Sequence, residues 1–257
     1  MTQDERLDYL LHCLLAEHKE YADIHVPDDL FEKRRLLRSL MNVRSPIPAS
    51  AEFLAVQDAY LQERLSERGV TRLMDLKPAQ PGLYLWQGDI TTLAVDAIVN
   101  AANSQMLGCF VPCHGCIDNA IHTYAGVQLR LECAHVMSAQ KEEEPTGGAK
   151  ITKAYNLPCH YVLHTVGPII HGIVTQTDRE LLASCYRSCL ELAAEYGLHS
   201  VAFCCISTGE FHFPNELAAQ IAIQTVTDWQ KQNANQMEVI FNVFKDSDYK
   251  IYERLLR

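Results

Sequence analysis

Along the first 77 residues, apolar side chains recur every three or four positions: Leu7, Leu10, Leu11, Leu14 and Leu15, then Leu30, Phe31, Leu36, Leu37 and Leu40. That spacing draws an apolar stripe along a helix, so the segment predicts an all-helical unit of three or four helices. Pro27, Asp28 and Asp29 open one helix, Ser45-Pro46-Ile47-Pro48 ends it, and another begins near Ser50 or Ala51. At 76–82 the pattern changes to short apolar runs alternating with helical stretches, which is the signature of an α/β layered domain. The expected strands are 83–87, 97–100, 149–155, 161–166, 200–204 and 239–244, and the expected helices are 116–137, 178–196, 214–232 and 247–256. The chain therefore divides into a helical extension, 1–77, and an α/β domain, 78–257. The extension either covers apolar surface of that domain or recruits a substrate.

Composition narrows the function classes. With 48% hydrophobic and 21% charged residues, the 257-residue chain is expected to fold throughout. A formal charge of −10 repels polyanions, which argues against nucleic acid as a partner. A small anion is still admissible, because backbone N–H groups at a helix N-terminus bind phosphate without basic side chains. Charges interrupt the apolar residues of the first twenty positions, so neither a secretion signal nor a membrane span is expected. Ten cysteines in a chain of this length, several within apolar runs such as Phe203-Cys204-Cys205-Ile206, point to reduced thiols in the cytoplasm.

Four loops carry candidate chemistry. Asp89, in Gly88-Asp89-Ile90-Thr91, either caps a turn or accepts hydrogen bonds from an exocyclic amine. Asn100 and Asn103 follow an apolar strand and either hold a turn or meet a hydroxyl-rich ligand. The stretch from Ile206 to Pro214 joins a strand to a helix and can aim N–H groups at a diphosphate, but it lacks the Gly-Lys-Ser/Thr ending of a P-loop. Most informative is 109–116, which holds Cys109, Cys113, His114 and Cys116 in eight positions, a dense set of zinc donors. Adjacent side chains diverge, whereas His114 and Cys116 can point the same way in an extended stretch, so the expected ligands are Cys109, His114 and Cys116. Three protein ligands leave zinc an open position for catalysis, and recruiting Cys113 closes the site. Asp118, just beyond, is either a water-orienting base or a helix N-terminal charge. His122, His164 and His212 are given no role, and 141–148 reads as a charged, solvated loop.

In this order, Gly88-Asp89-Ile90-Thr91, Val99-Asn100-Ala101-Ala102-Asn103, Ala120-Ile121-His122 with Ala125-Gly126, and Ile206-Ser207-Thr208-Gly209 before a helix resemble the macrodomain family of ADP-ribose binders across 80–257. Ordinary hydrolases of that family carry a glycine-rich loop where this chain has 109–116, and the departure resembles the zinc-dependent branch, whose members also carry a helical N-terminal extension. The resemblance implies a three-layer α/β/α fold around a central mixed sheet. It implies Asp89 on the adenine amine, Ile90 on a phosphate through its backbone, Asn103 on the distal ribose with Asn100 supporting the turn, and Cys116, Ile117 and Asp118 beside the ligand. It further implies Ser207, Thr208, Gly209, Glu210 and Phe211 around the diphosphate, Phe213 near the distal ribose and Phe244 on adenine.

The implied activity is removal of mono-ADP-ribose from a modified protein, through an Asp or Glu ester, with Zn2+ beside the distal ribose and Asn103 and Asp118 as catalytic residues. Members of the branch accompany a sirtuin-like ADP-ribosyltransferase and a lipoylated carrier protein, which is the suggested substrate. Two other readings use the same pocket: a non-catalytic reader whose zinc is structural, and a deacetylase of O-acetyl-ADP-ribose.

Overall fold

Thr2, Asp29 and Ser50 each accept a backbone N–H at the start of a helix, and these caps set the register of α1 (Gln3–Ala16), α2 (Leu30–Val43) and α3 (Ala51–Arg68). The computed structural model describes residues 1–233 and 237–257. Leu7, Leu10, Leu11 and Leu14 of α1 meet Leu37, Leu40 and Met41 of α2 and Phe53, Tyr60 and Leu61 of α3 in a second core, to which Val127 of the α/β domain also contributes. Each such side chain contributes about 1.5–3 kcal/mol on burial, enough in sum to hold three short helices together. The three helices, with 3-10 turns at Lys19–Tyr21 and Leu73–Asp75, match the helical pattern of the sequence.

Beyond Arg68 the chain builds a seven-stranded sheet in the order β2-β3-β9-β8-β5-β7-β6. Its strands are β2 (Pro78–Gln80), β3 (Leu83–Gln87), β5 (Ala97–Ala102), β6 (Ala149–Lys153), β7 (Tyr161–Val166), β8 (Ser200–Phe203) and β9 (Glu238–Val243). The five inner strands pair in parallel, and β2 and β6 close the two edges in antiparallel fashion, giving a mixed sheet. Inner strands are buried on both faces, which is why Ala97, Ile98 and Val99 form an unbroken apolar run. Helices α6 (Gln176–Glu195), α7 (Asn215–Gln232) and α8 (Asp246–Leu255) pack in succession, and α4 (Ile117–Ala125) and α5 (Val127–Gln140) form the other helical group. The result is the expected layered α/β fold with N-terminal helices.

Several boundaries differ from the sequence reading. The helix expected over 116–137 is two helices, because Gly126 takes φ +98° and breaks the run between α4 and α5. A Cβ at Gly126 would stand 2.6 Å from Gln57 Nε2, whose side chain comes from α3. Gln57 Oε1 accepts the Val127 amide at 2.9 Å, so the break is stitched to the extension. The apolar pattern runs on through Gly126 and does not betray the break. The strand expected over 149–155 ends at Lys153, where the Ala154 amide bonds back to the His160 carbonyl. Three short strands escaped the reading: β1 (Thr71–Arg72) and β4 (Leu93–Ala94), which pair in parallel, and β2, whose Pro78 is tolerated only because the strand lies at an edge.

Extension and sheet domain are joined by buried polar contacts. Arg130 of α5 donates through Nη1 to the carbonyls of Met41, Asn42 and Arg44 at the end of α2, and through Nε to the Leu107 carbonyl. A cation at a helix C-terminus satisfies orphan carbonyls and opposes the dipole. Replacing it leaves those carbonyls buried without a donor. Arg130→Met is expected to lower stability by roughly 3 kcal/mol, measured as the urea unfolding free energy; a change under a third of that would contradict the assigned role.

Candidate functional site

Loops leave the carboxyl ends of four neighbouring parallel strands, β3, β9, β8 and β5, where ligands bind in sheets of this kind. After β3, Asp89 caps a short turn: its Oδ1 accepts from the Thr91 amide at 3.0 Å and the Thr91 hydroxyl at 2.6 Å. Its Oδ2 pairs with Arg68 at 2.9 Å, and the Arg68 guanidinium lies 3.7 Å from the Tyr124 ring centre. Both oxygens thus serve local structure, and a ligand has their remaining lone pairs. Ile90 is buried, so only its backbone can face a ligand. Just past β9, Phe244 is 78% exposed, a large ring held out in solvent.

Asn100, within β5, is wholly buried and offers no surface to a ligand. It works from behind instead. Its Nδ2 donates to Asp118 Oδ1 at 2.8 Å and faces His164 Nδ1 at 3.2 Å, while His164 Nε2 lies 2.9 Å from Thr152 Oγ1. Asn103 is part-exposed and shapes the loop, donating to the Gly108 carbonyl and accepting from the Gln105 amide. Gly108 itself has φ +80°, and a Cβ there would stand 2.7 Å from the His122 ring.

Asp118 sits at the start of α4, almost fully buried. Burial pushes its carboxyl up to about 6, against the opposing effects of the Asn100 hydrogen bond and the Arg130 charge. Burial also holds His122 well below the usual imidazole range and His164 down at about 3, so both rings are neutral. Neither histidine carries a role in the sequence reading. With Cys133 they form a cluster of donors inside the core, but both nitrogens of His164 already face Asn100 and Thr152. The cluster is a polar wall behind Asp118.

Between Asn103 and Asp118 runs the loop with the sulfur and imidazole groups. The donor atoms of Cys109, His114 and Cys116 all lie within 4.8 Å of one another and are only partly buried. Two thiols and an imidazole this close fit zinc in both number and softness. Burial, with the neighbouring Cys109 adding to it, pushes the Cys116 thiol up to about 12, a cost that a bound cation offsets by stabilising the thiolate. Cys113 is turned away. Its φ is +53°, its amide donates to Asn42 Oδ1 at 2.9 Å, and its Sγ lies 3.2 Å from Ser39 Oγ on α2.

The 207–213 loop faces this one: Glu210 Oε1 is 3.6 Å from His114 Nε2, beyond hydrogen-bond reach but within range to orient the ring, while His114 Nδ1 is 3.7 Å from Cys109 Sγ. The loop closes on itself through His212 to Gly209 and Phe213 to Ser207, and the amides of Gly209, Glu210 and Phe211 take no part in its backbone bonds. Ser207 has φ +64° and a buried hydroxyl with no hydrogen-bond partner among the described residues, and Thr208 bonds back to Cys205. Phe213, expected near the distal ribose, is 1% exposed in the main core, so its ring supports the loop from beneath. Ile117 is half-buried against the same core.

Comparison with known proteins agrees with this picture. The Macro domain family model matches residues 99–222. A protein-ADP-ribose hydrolase of Treponema medium is 58% identical over 260 residues, covering 100% of both chains. One from Staphylococcus aureus (strain MSSA476) is 49% identical, over 96% of this chain and 94% of its own. The crystal structure of a Trypanosoma brucei macrodomain in complex with ADP-ribose has a TM-score of 0.66 and 33% identity, over 86% of this chain and 95% of that one. With relatives of this identity aligned from end to end, and with the matched strands and helices framing the crevice, the chain belongs to the macrodomain family.

Proposed function

We propose that this protein is a zinc-dependent hydrolase that releases mono-ADP-ribose from a modified protein. The observation that carries the reading is the convergence of Cys109, His114 and Cys116 in the loop that leads directly into Asp118, opposite the free amides of 209–211. The Treponema medium and Staphylococcus aureus relatives bear the name protein-ADP-ribose hydrolase, and the Trypanosoma brucei structure holds ADP-ribose. Residues 1–77 act as an extension built on the second core, and 78–257 as the hydrolase domain. Free thiols at all ten cysteines, half of them buried, suit a reducing compartment such as the cytoplasm.

In this reading Phe244 stacks on adenine and Asp89 accepts from its amine, while the backbone of Ile90 and of 207–211 wraps the diphosphate. Asn103 uses its spare amide capacity on the distal ribose. Cys109, His114 and Cys116 would hold a zinc ion, which when bound would supply Lewis-acid chemistry beside the distal ribose. Asp118, oriented by Asn100, would position an attacking water and take its proton, a role that suits a carboxyl whose pKa burial raises to about 6. The products are free ADP-ribose and the restored Asp or Glu carboxylate. A lipoylated carrier protein is the proposed substrate. A reader with structural zinc needs four protein ligands, and the turning away of Cys113 disfavours it.

The central test incubates native and chelator-stripped protein with Asp/Glu-linked ADP-ribosylated substrate. Stripped protein is expected to release no ADP-ribose while still binding it by calorimetry; undiminished release would defeat the reading. Purified wild type should carry about one zinc per chain, and Cys109→Ser, His114→Ala and Cys116→Ser should each lose it, measured by elemental analysis. Asp118→Asn should cut turnover by roughly 10²- to 10⁴-fold with ADP-ribose affinity changed only a few-fold. Phe244→Ala removes an exposed ring and should weaken ADP-ribose binding about tenfold through lost stacking, leaving the unfolding midpoint where it was.

A further inference from the structure

Helix α2 of the extension runs beside the metal loop and holds it by three side chains and one backbone carbonyl. Arg38 donates to the His114 carbonyl at 3.0 Å and to Asn119 Oδ1 at 2.7 Å, and Asn119 Nδ2 donates in turn to the Val111 carbonyl. Asn42, buried between α2 and α4, accepts the Cys113 amide and donates to Thr123 Oγ1. Ser39 Oγ contacts the Cys113 sulfur, which also reaches the Arg35 carbonyl at 3.4 Å. Cys113 therefore has its amide and its thiol berthed on α2, in a left-handed conformation that a non-glycine residue adopts only when its surroundings hold it there.

Cys113 directly precedes the ligand His114 in a loop dense with zinc donors, and a released thiolate competes for any vacant coordination position. We infer that Ser39 and Asn42 are positioning residues whose work is to keep the Cys113 thiol off the zinc, so that the metal keeps three protein ligands and one position for water or substrate. The inference rests on the proposed zinc site. On this account the extension decides whether the zinc is catalytic or structural, and coverage of apolar surface is only part of its role.

The prediction runs against the usual effect of a loosened site: freeing Cys113 tightens metal binding while removing activity. Two variants free it by different means. Asn42→Ala removes the acceptor of the Cys113 amide, and Ser39→Leu, on the partly exposed side of α2, crowds the sulfur out of its berth without touching a buried polar group. In the cobalt-substituted full-length protein each is expected to raise the thiolate charge-transfer absorption about 1.5-fold, the ratio of three thiolates to two. Each is also expected to retain zinc longer against a chelator and to lose most ADP-ribose release. Adding Cys113→Ser to either variant should return spectrum, retention and turnover to the wild-type values, a rescue that general damage to the fold does not allow. Should Asn42→Ala fold poorly, Ser39→Leu carries the test. A wild-type cobalt spectrum in the freed variants, a faster loss of zinc, or failure of Cys113→Ser to rescue would overturn the inference while leaving the zinc hydrolase reading intact. A wild-type protein that takes up neither cobalt nor zinc would overturn both.

Discussion

A guanidinium shut away from water must be ringed by acceptors, and Arg130 finds them on two sides of a seam. Three of its acceptors are carbonyls at the end of α2, a fourth is the carbonyl of Leu107, and its face rests 4.2 Å from the centre of the Phe110 ring. Leu107 and Phe110 bracket Cys109, so the group that ends α2 also anchors the entrance of the metal loop. Burial pulls the Arg130 pKa down and the carboxyl of Asp118 opposes that effect, which ties the charge balance of the site to the same residue. Helix packing, loop shape and the environment of the candidate base therefore depend on one buried cation.

The interior behind the site is polar where a sheet domain of this size is usually apolar. Asn100, Asp118, His122, Thr152 and His164 are all buried, and three of their hydrogen bonds run in series from Thr152 through His164 and Asn100 to Asp118. Such a chain costs desolvation and is worth keeping where orientation of its last member matters. Neutral His164 can donate to Thr152 and accept from Asn100, which leaves the Asn100 amide pointed at Asp118 in one sense only. The direction of a carboxylate at the crevice is thus set three residues deep.

Much of this was legible in the chain. Apolar spacing revealed the helices of the extension and every inner strand of the sheet, because both report burial on one stripe or on both faces. The donor spacing of Cys109, His114 and Cys116 revealed the cluster, because two residues that share a face in an extended stretch still share it when folded. What was hidden depends on partners distant in sequence. Adjacency to His114 sets Cys113 apart from the expected ligands, but what holds it away, the bond from its amide to Asn42 71 residues distant, leaves no local signal. Gly126 sits in an unbroken apolar pattern, and only Gln57 at its side explains the pause between α4 and α5. His164 and Phe213 carry no local signal that separates core from ligand contact; the sheet register and the packing of the 207–213 loop decide both.

Net charge poses the remaining physical question, since a chain at −10 is read as binding a diphosphate. The answer lies in where the negative charge is placed and what faces the crevice. The loop over 209–211 offers amides that are not spent on its own backbone, and α4 opens at Cys116 with its positive end toward the same space. Arg68 pairs with Asp89 at one end of the crevice, and Arg130 lies behind the carboxylate of Asp118. Both cations are held by contacts between the extension and the α/β domain. An anionic ligand entering the crevice therefore meets fixed N–H dipoles and partly neutralised carboxylates, and the helical extension contributes Arg68 to that balance.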